Sequence, residues 1–278
     1  MALQERVLSV LGAFNADRPS LSLSDIAQIT GLPVSTTHRL VANLVGWGAL
    51  ERDERRRYVI GLRLWEIGVL SPRAYRYRSR ILPFLEELFV ATREHVVLTA
   101  LHDGEGIMVE QLLGRRGARL AAGLGERLPL HASSPGHVFL AFGPPELWEI
   151  IEAEPLHAYT PRTVTDRDQL RTVVRDVRRT SVSISEGAIV TSTVSISAPV
   201  FAHRGEFYGA VSIVATIGTV DPNLLAPSVL RAARLISAAL LTAGEEPPFR
   251  PLRRAEQPPA PPAARGAGME KRTPAAGA

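Results

Sequence analysis

The sequence predicts an α+β chain: an N-terminal winged helix-turn-helix, a linker helix, and a larger α/β domain. Three observations carry this. Apolar residues recur at helical spacing three times before Trp47, with Gly31 and Pro33 between the second and third runs. An arginine-rich turn between two short β-prone runs follows at once. Far downstream, "TVSISAPV" and "FYGAVSIVAT" alternate strictly and lead into a long apolar helix.

The chain has 278 residues, which suits a small domain joined to a larger one. We divide it into a head at 1–61, a linker helix at 62–80, a second domain at 81–243 and a disordered tail at 244–278 rich in proline, alanine and glycine. With 45% hydrophobic and 22% charged residues it can bury a core. The absence of cysteine excludes disulfides, thiolate zinc sites and thiol redox sensing. The start, "MALQERVLSVLGAF", reads as a helix and not a signal peptide, and no apolar run approaches bilayer length. A cytoplasmic protein with no membrane partner is expected.

Val7, Leu8, Val10, Leu11 and Phe14 predict a first helix over about 3 to 16. A second begins with Ser22 or Ser24 as N-cap, carries Ile26, Ala27 and Ile29, and ends at Gly31, which supplies a left-handed turn. Pro33 then opens a third helix that continues to about Gly46. Two helices joined by so short a glycine-bearing turn are the sequence form of a helix-turn-helix.

At about 100° per residue, Thr37, Leu40, Val41 and Leu44 share the inward face of the third helix, and Ser35, Arg39, Ala42 and Asn43 lie opposite, flanked by Thr36 and His38. Short side chains at the front let the backbone approach a duplex, and the donors behind them reach phosphates and base edges. "GALERDERRRYVIG" then predicts a wing whose Arg55, Arg56 and Arg57 meet phosphates or a minor groove. The DNA-contacting candidates are therefore Ser24, Ser35, Thr36, Thr37, His38, Arg39, Asn43, Arg55, Arg56 and Arg57.

Net charge is +4 and Lys271 is the only lysine, so position matters more than amount. Arg52, Arg55, Arg56, Arg57, Arg63, Arg73, Arg76, Arg78 and Arg80 face only Asp53, Glu54 and Glu66 over the same stretch. Charge alone also describes a solvated arginine-rich surface, and three helices with a wing also describe a protein-docking module. The short polar front and the arginine tip favour double-stranded DNA. A helix leaving such a head with Leu62, Leu64, Trp65 and Ile67 is expected to pair with its copy, giving a homodimer or tetramer.

In the second domain, strands are predicted at 96–101 and 106–113 around an Asp103–Gly104 turn, a helix over Ser134 to Ala141, and a helix over Asp166 to Arg179. Strands at 193–201 and 207–216 and a helix from Asn223 to Ala243 complete it. Val194, Ile196, Ala198 and Val200 point one way, and Thr193, Ser195 and Ser197 the other; Tyr208, Ala210, Ser212 and Val214 share a face, which adds Ser212 to the hydroxyl side. Covered by a helix N-terminus at Ser134, Pro135 and Gly136, that face makes a polar pocket for a small carboxylate. The same alternation describes a sheet with one solvated face.

The segments "ITGLPVSTTHRLVANLVGWGALERD", "GERLPLHASSPGHVFLAF" and "SISAPVFAHRGEFYGAVSIVAT" resemble the IclR-type bacterial transcriptional regulators, and the resemblance spans about residues 3 to 243. It implies a GAF-like second domain that binds a small effector, often an organic or aromatic acid, and dimers or tetramers on palindromic promoter DNA. By the same resemblance the recognition helix falls on Ser35, Thr36, His38 and Arg39, and the effector pocket on Ser134, Pro135, Ser185, Thr193, Ser195, Ser212 and Val214. Family members commonly carry a small flexible residue where this chain has Pro135, a lysine where it has His137 and a glycine where it has Ser192. The proline removes one amide donor.

Ser133 or Ser134 near His131 and His137 invites a hydrolase reading, but no GxSxG elbow is present. "GLGERL" lacks the third glycine of a dinucleotide fingerprint, and no HExxH occurs. No cofactor and no metal are expected, and no enzymatic activity. The reading is a ligand-responsive regulator; the alternatives are a DNA-binding oligomer without effector and, behind it, an enzyme acting on a small acid.

Overall fold

The computed structural model describes residues 2–15, 18–70, 72–102, 104–114 and 118–242, without the side chains of 72–79 and 203. The expected tail, Lys271, Asp103 of the predicted turn, and the side chains of Arg73, Arg76 and Arg78 lie outside the described residues.

The head runs α1 (Leu3–Gly12), β1 (Ser20–Leu21), α2 (Leu23–Thr30), α3 (Val34–Trp47), β2 (Leu50–Arg52) and β3 (Tyr58–Ile60). Helix α1 stops at Gly12, short of the expected residue 16. Ser22, not Ser24, caps α2: its Oγ accepts the Asp25 amide and the Asp25 carboxylate accepts the Ser22 amide, so two orphan donors are satisfied reciprocally. Gly31, at φ +68°, ends α2 in the left-handed conformation, and Pro33 stands as the N-cap of α3. Val10, Ile26, Leu40, Val41, Leu44 and Leu50 are buried together as one core, so the apolar stripe of α3 is what fixes its outer face. The wing is three-stranded, order β1-β3-β2, because Ser20 and Leu21 pair with Val59 and Tyr58.

The linker, expected as helix over 62–80 with an interruption at Ser71 and Pro72, is two helices, α4 (Leu62–Val69) and α5 (Pro72–Thr92), and the second runs on past the expected residue 80. Helix α4 is tied to the head by Leu64 in its core, by the Arg63 guanidinium 4.7 Å from the Trp47 ring, and by the Glu51 carboxylate accepting the Leu62 amide.

The second domain contains β4 (His95–His102), β5 (Glu105–Leu112), β6 (Arg127–Leu128), α6 (Ser134–Phe142), α7 (Leu147–Ala153), α8 (Arg167–Thr180), β7 (Ser183–Glu186), β8 (Thr193–Phe201), β9 (Phe207–Thr216) and α9 (Pro222–Thr242). The strands form an antiparallel sheet of order β6-β5-β4-β9-β8-β7. On one face α5 and α9 pack Ile81, Leu85, Val229 and Ile236 against Val96, Leu98, Ile196, Val200 and Val211. On the other, α6 lies between the sheet and α7 and α8, which bury Leu147, Leu170 and Val174 against it.

Tyr208 belongs to the α5/α9 core, opposite Ala210, Ser212 and Val214. The predicted alternation fails there because the register shifts between Val200 and Phe201, and a bulge of this kind turns neighbouring side chains to the other face. Helix α9, 21 residues long, is also long and apolar enough to cross a membrane, which the sequence reading overlooked. It carries Arg231 and Arg234 and buries Val229, Ala232, Ala233, Ile236 and Leu240 in the core.

Candidate functional site

On α3 the polar face stands clear of the core. Ser35, His38, Arg39, Ala42 and Asn43 are exposed and Thr36 is half-buried. Thr37 corrects the sequence reading: its exposure is 0% and its hydroxyl donates to the Pro33 carbonyl, so it is a core residue that no duplex reaches. Ser24 is exposed in the first turn of α2.

The wing tip is organised by Asp53. Its carboxylate accepts the Ser20 hydroxyl at 2.8 Å and the amides of Arg55 and Arg57 at 3.0 and 2.8 Å. These bonds, the Ser20 hydroxyl first, hold its pKa below the ordinary carboxylate value. Arg56 sits at φ +60°, a conformation unusual for a side-chain-bearing residue, with its amide on the Asp53 carbonyl. Arg55 and Arg56 are exposed. Arg57, expected beside them, turns inward: its Nη2 donates to Asp25 and to the Ser20 carbonyl, both at 2.9 Å. It fastens the wing to α2, and its guanidinium is already engaged.

The second candidate lies against α6. Ser197 and Ser212 are register partners on β8 and β9, with their oxygens 2.7 Å apart. Ser134, at the start of α6, reaches down to Ser197 at 2.6 Å and Ser195 at 2.5 Å. Ser134, Ser197 and Ser212 are all buried, so this chain of hydroxyls lies away from water. Beside it opens about 520 Å³ of space free of protein atoms, part of it open to solvent. Ser134, Pro135, Ser185, Thr193, Ser195, Ser212 and Val214, the residues on which the resemblance puts an effector pocket, line this cavity. Gly136 does not: a Cβ there would stand 2.3 Å from the Leu130 carbonyl oxygen, so it is a close-packing residue.

Sequence reasoning missed the rest of the lining. Val97 and Thr99 of β4, Met108 of β5, and Leu120, Leu128 and Ile189 are also part of the walls. Thr160 and Thr163 donate their hydroxyls to the carbonyls of Gly187 and Ala188, both at 2.6 Å, and so fix the rim from outside. Alternation could have placed Val97 and Thr99 on one face; nothing in the sequence marks that face as the pocket.

The front of α6 is not the open amide cradle expected for a carboxylate. Pro135 has no N–H, the Gly136 amide is taken by Ser133 Oγ, and the His137 amide by the Ser133 carbonyl. His137 lies behind the pocket. Its Nε2–H donates to the His131 carbonyl at 2.8 Å and its Nδ1 accepts the Ser183 hydroxyl at 3.2 Å. Burial pushes its pKa down to about 4, so the ring is neutral at physiological pH. His131 donates through Nε2 to the His157 carbonyl, and Ser133 to the Pro129 carbonyl. Ser133 and Ser134 thus bond to the Pro129 carbonyl and to Ser195 and Ser197 and not to a histidine, while the Ser183–His137 contact is buried and neither of its residues lines the cavity. Among the described residues no cluster of metal-ligating side chains is present.

The comparisons agree with both halves. Residues 5–54 match the IclR helix-turn-helix domain, and residues 75–238 match the C-terminal domain of the bacterial transcriptional regulator IclR. The HTH-type transcriptional repressor AllR of Klebsiella pneumoniae is 31% identical over 245 residues, 85% of this chain and 89% of its own. The HTH-type transcriptional regulator KipR of Bacillus subtilis is 32% identical over 197 residues, 70% of this chain and 79% of its own. An IclR homolog from Microbacterium hydrocarbonoxydans, solved in complex with 4-hydroxybenzoate, is 33% identical with a TM-score of 0.81, covering 86% of this chain and 99% of that one.

Proposed function

We propose, for a chain that belongs to the IclR family of bacterial transcriptional regulators, that the outer face of α3 reads promoter DNA and that a small molecule in the α6 cavity adjusts that binding. The family is one of regulators and not of enzymes. The observation that carries the reading is the division on α3: Leu40, Val41 and Leu44 are buried while Ser35, His38, Arg39 and Asn43 remain free to meet a major groove. Arg55 and Arg56 are our candidates for phosphate contacts from the wing. The two-domain division, with α4 and the start of α5 between the parts, belongs to this proposal, as does a cytoplasmic location.

A homo-oligomer follows from α4 and its C-cap, where Leu62, Trp65, Ile67 and Leu70 are 60%, 65%, 47% and 76% exposed. So much apolar surface on one short helix suits a second copy, and paired heads suit a palindromic site. An effector bound in the second domain changes DNA affinity only if it favours one arrangement of the two heads over another, and α4 with α5 is the connection through which it would do so.

The effector we propose is a small organic or aromatic acid, a class supported by the 4-hydroxybenzoate complex of the homolog. The test is fluorescence anisotropy of a labelled duplex from the chain's own upstream region, titrated with and without 4-hydroxybenzoate and related acids. Tight, salt-sensitive binding that shifts with one of them is expected. Salt-sensitive binding indifferent to every acid, with no shift in melting, would favour a DNA-binding oligomer without effector.

A further inference from the structure

We infer that the inner end of the α6 cavity receives an uncharged oxygen-bearing head, an amide, alcohol or phenol, held between Thr99 and the serine chain; this rests on the effector reading above. Thr99 has 0% exposure, lines the cavity, and its Oγ1 is buried without a hydrogen-bond partner. Native proteins rarely leave a buried hydroxyl orphaned, and one that borders a cavity is completed by whatever fills it.

The serines add a countable contribution. Ser195, Ser134, Ser197 and Ser212 are joined by three hydrogen bonds, and each bond consumes one hydroxyl proton. One proton of the four is left over. It can stand on any member of the chain, since reversing the bonds moves it along, while the oxygens keep acceptor lone pairs. Thr193 and Ser133 have already given their protons to the carbonyls of Val190 and Pro129.

No charged side chain lines the cavity among the described residues, and at the front of α6 Pro135 has no amide to offer and the Gly136 amide is already taken by Ser133. A carboxylate donates nothing to the serine oxygens and would bring its charge to an inner end with no cationic side chain, and a buried charge needs pairing. A neutral head fits: it accepts from Thr99 and from the proton left over on the chain of four serines, and an N–H or O–H of its own meets a serine oxygen. Val97, Met108, Leu128, Ile189 and Val214 enclose the apolar body. An acid that also carries a hydroxyl enters hydroxyl-first, with its carboxylate toward the solvent-open side.

The experiment is calorimetry and thermal melting of the full chain at neutral pH with two matched pairs, benzamide against benzoate and isobutyramide against isobutyrate, in wild type and Thr99→Val. At least one amide should bind about tenfold more tightly than its carboxylate. Thr99→Val should keep or raise the melting temperature without ligand, since an orphan hydroxyl is replaced by a methyl group. It should weaken the amide about fivefold or more and leave the carboxylate unchanged. A carboxylate that binds as tightly as its amide, or an amide indifferent to Thr99→Val, overturns the inference while the pocket reading stands. If none of the four binds while 4-hydroxybenzoate does, the inference is overturned and the pocket reading stands; if 4-hydroxybenzoate fails as well, the pocket reading fails and takes this inference with it.

Discussion

Short hydroxyl side chains serve opposite ends in the two halves of the molecule. At the front of α3, Ser35 stands in solvent and Thr36 at its edge, where their value is that they are small and leave room for another backbone. Around α6, Ser134, Ser197 and Ser212 are shut away from water and satisfy one another. The same residue type costs little in the first setting and depends on its neighbours in the second. The difference teaches that a polar residue's role is set by whether its hydrogen bonds are made within the fold or left for a partner.

The largest expected contrast comes from pH. His137 is neutral in the folded protein because burial holds its pKa down to about 4, from an ordinary 6.5. Below about pH 6.5 the unfolded chain takes up a proton that the folded one refuses, so stability falls as pH drops through that window and levels off once the folded ring is protonated. Urea unfolding at about pH 7 and pH 4.5 should show a loss of about 2 to 3 kcal/mol from this group, and His137→Gln should flatten that part of the profile. An unchanged profile in the variant contradicts the buried neutral ring.

Removal of one hydroxyl in each half sharpens the comparison directly. Ser197→Ala leaves Ser134 and Ser212 each short of a partner and should cost about 1 to 3 kcal/mol in denaturant unfolding. Ser35→Ala should stay within about 0.5 kcal/mol. Equal effects would erase the distinction drawn here.

On DNA the ranking reverses. Arg39→Ala should lose about 1 to 3 kcal/mol of affinity for the upstream site and relax its sequence preference, measured by competition against scrambled duplexes. Arg57→Ala should act mainly on stability, by about 1 kcal/mol or less for so exposed a pair, because that guanidinium holds Asp25 and the Ser20 carbonyl. A salt dependence of DNA binding much weakened by Arg57→Ala would return it to the phosphate contacts.

Helical spacing was enough to read the head because one stripe had to be buried: once Leu40, Val41 and Leu44 are assigned inward, Arg39 and Asn43 have only one place to go. The bounds of β8 and β9 were equally legible, since long strands with one core face alternate strictly. β1 and β7, two and four residues long, left too little alternation to see, and α7 was lost between prolines and acidic residues. Thr37 and Arg57 went astray for one reason: each looks like a surface donor in sequence, and only the fold shows the Pro33 carbonyl and the Asp25 carboxylate that claim them. Thr99 was invisible as a site residue because an unmade bond leaves no trace in sequence.

The account rests most heavily on the wing and α3 meeting a duplex, and the salt dependence of binding measures that contact. Log affinity for the upstream duplex against log salt should be steep in wild type, and Arg55→Ala with Arg56→Ala should reduce the slope by about two for each engaged head, with affinity lost evenly across sequences. A slope left unchanged by the double substitution, or no salt-sensitive affinity in the wild type, would contradict it.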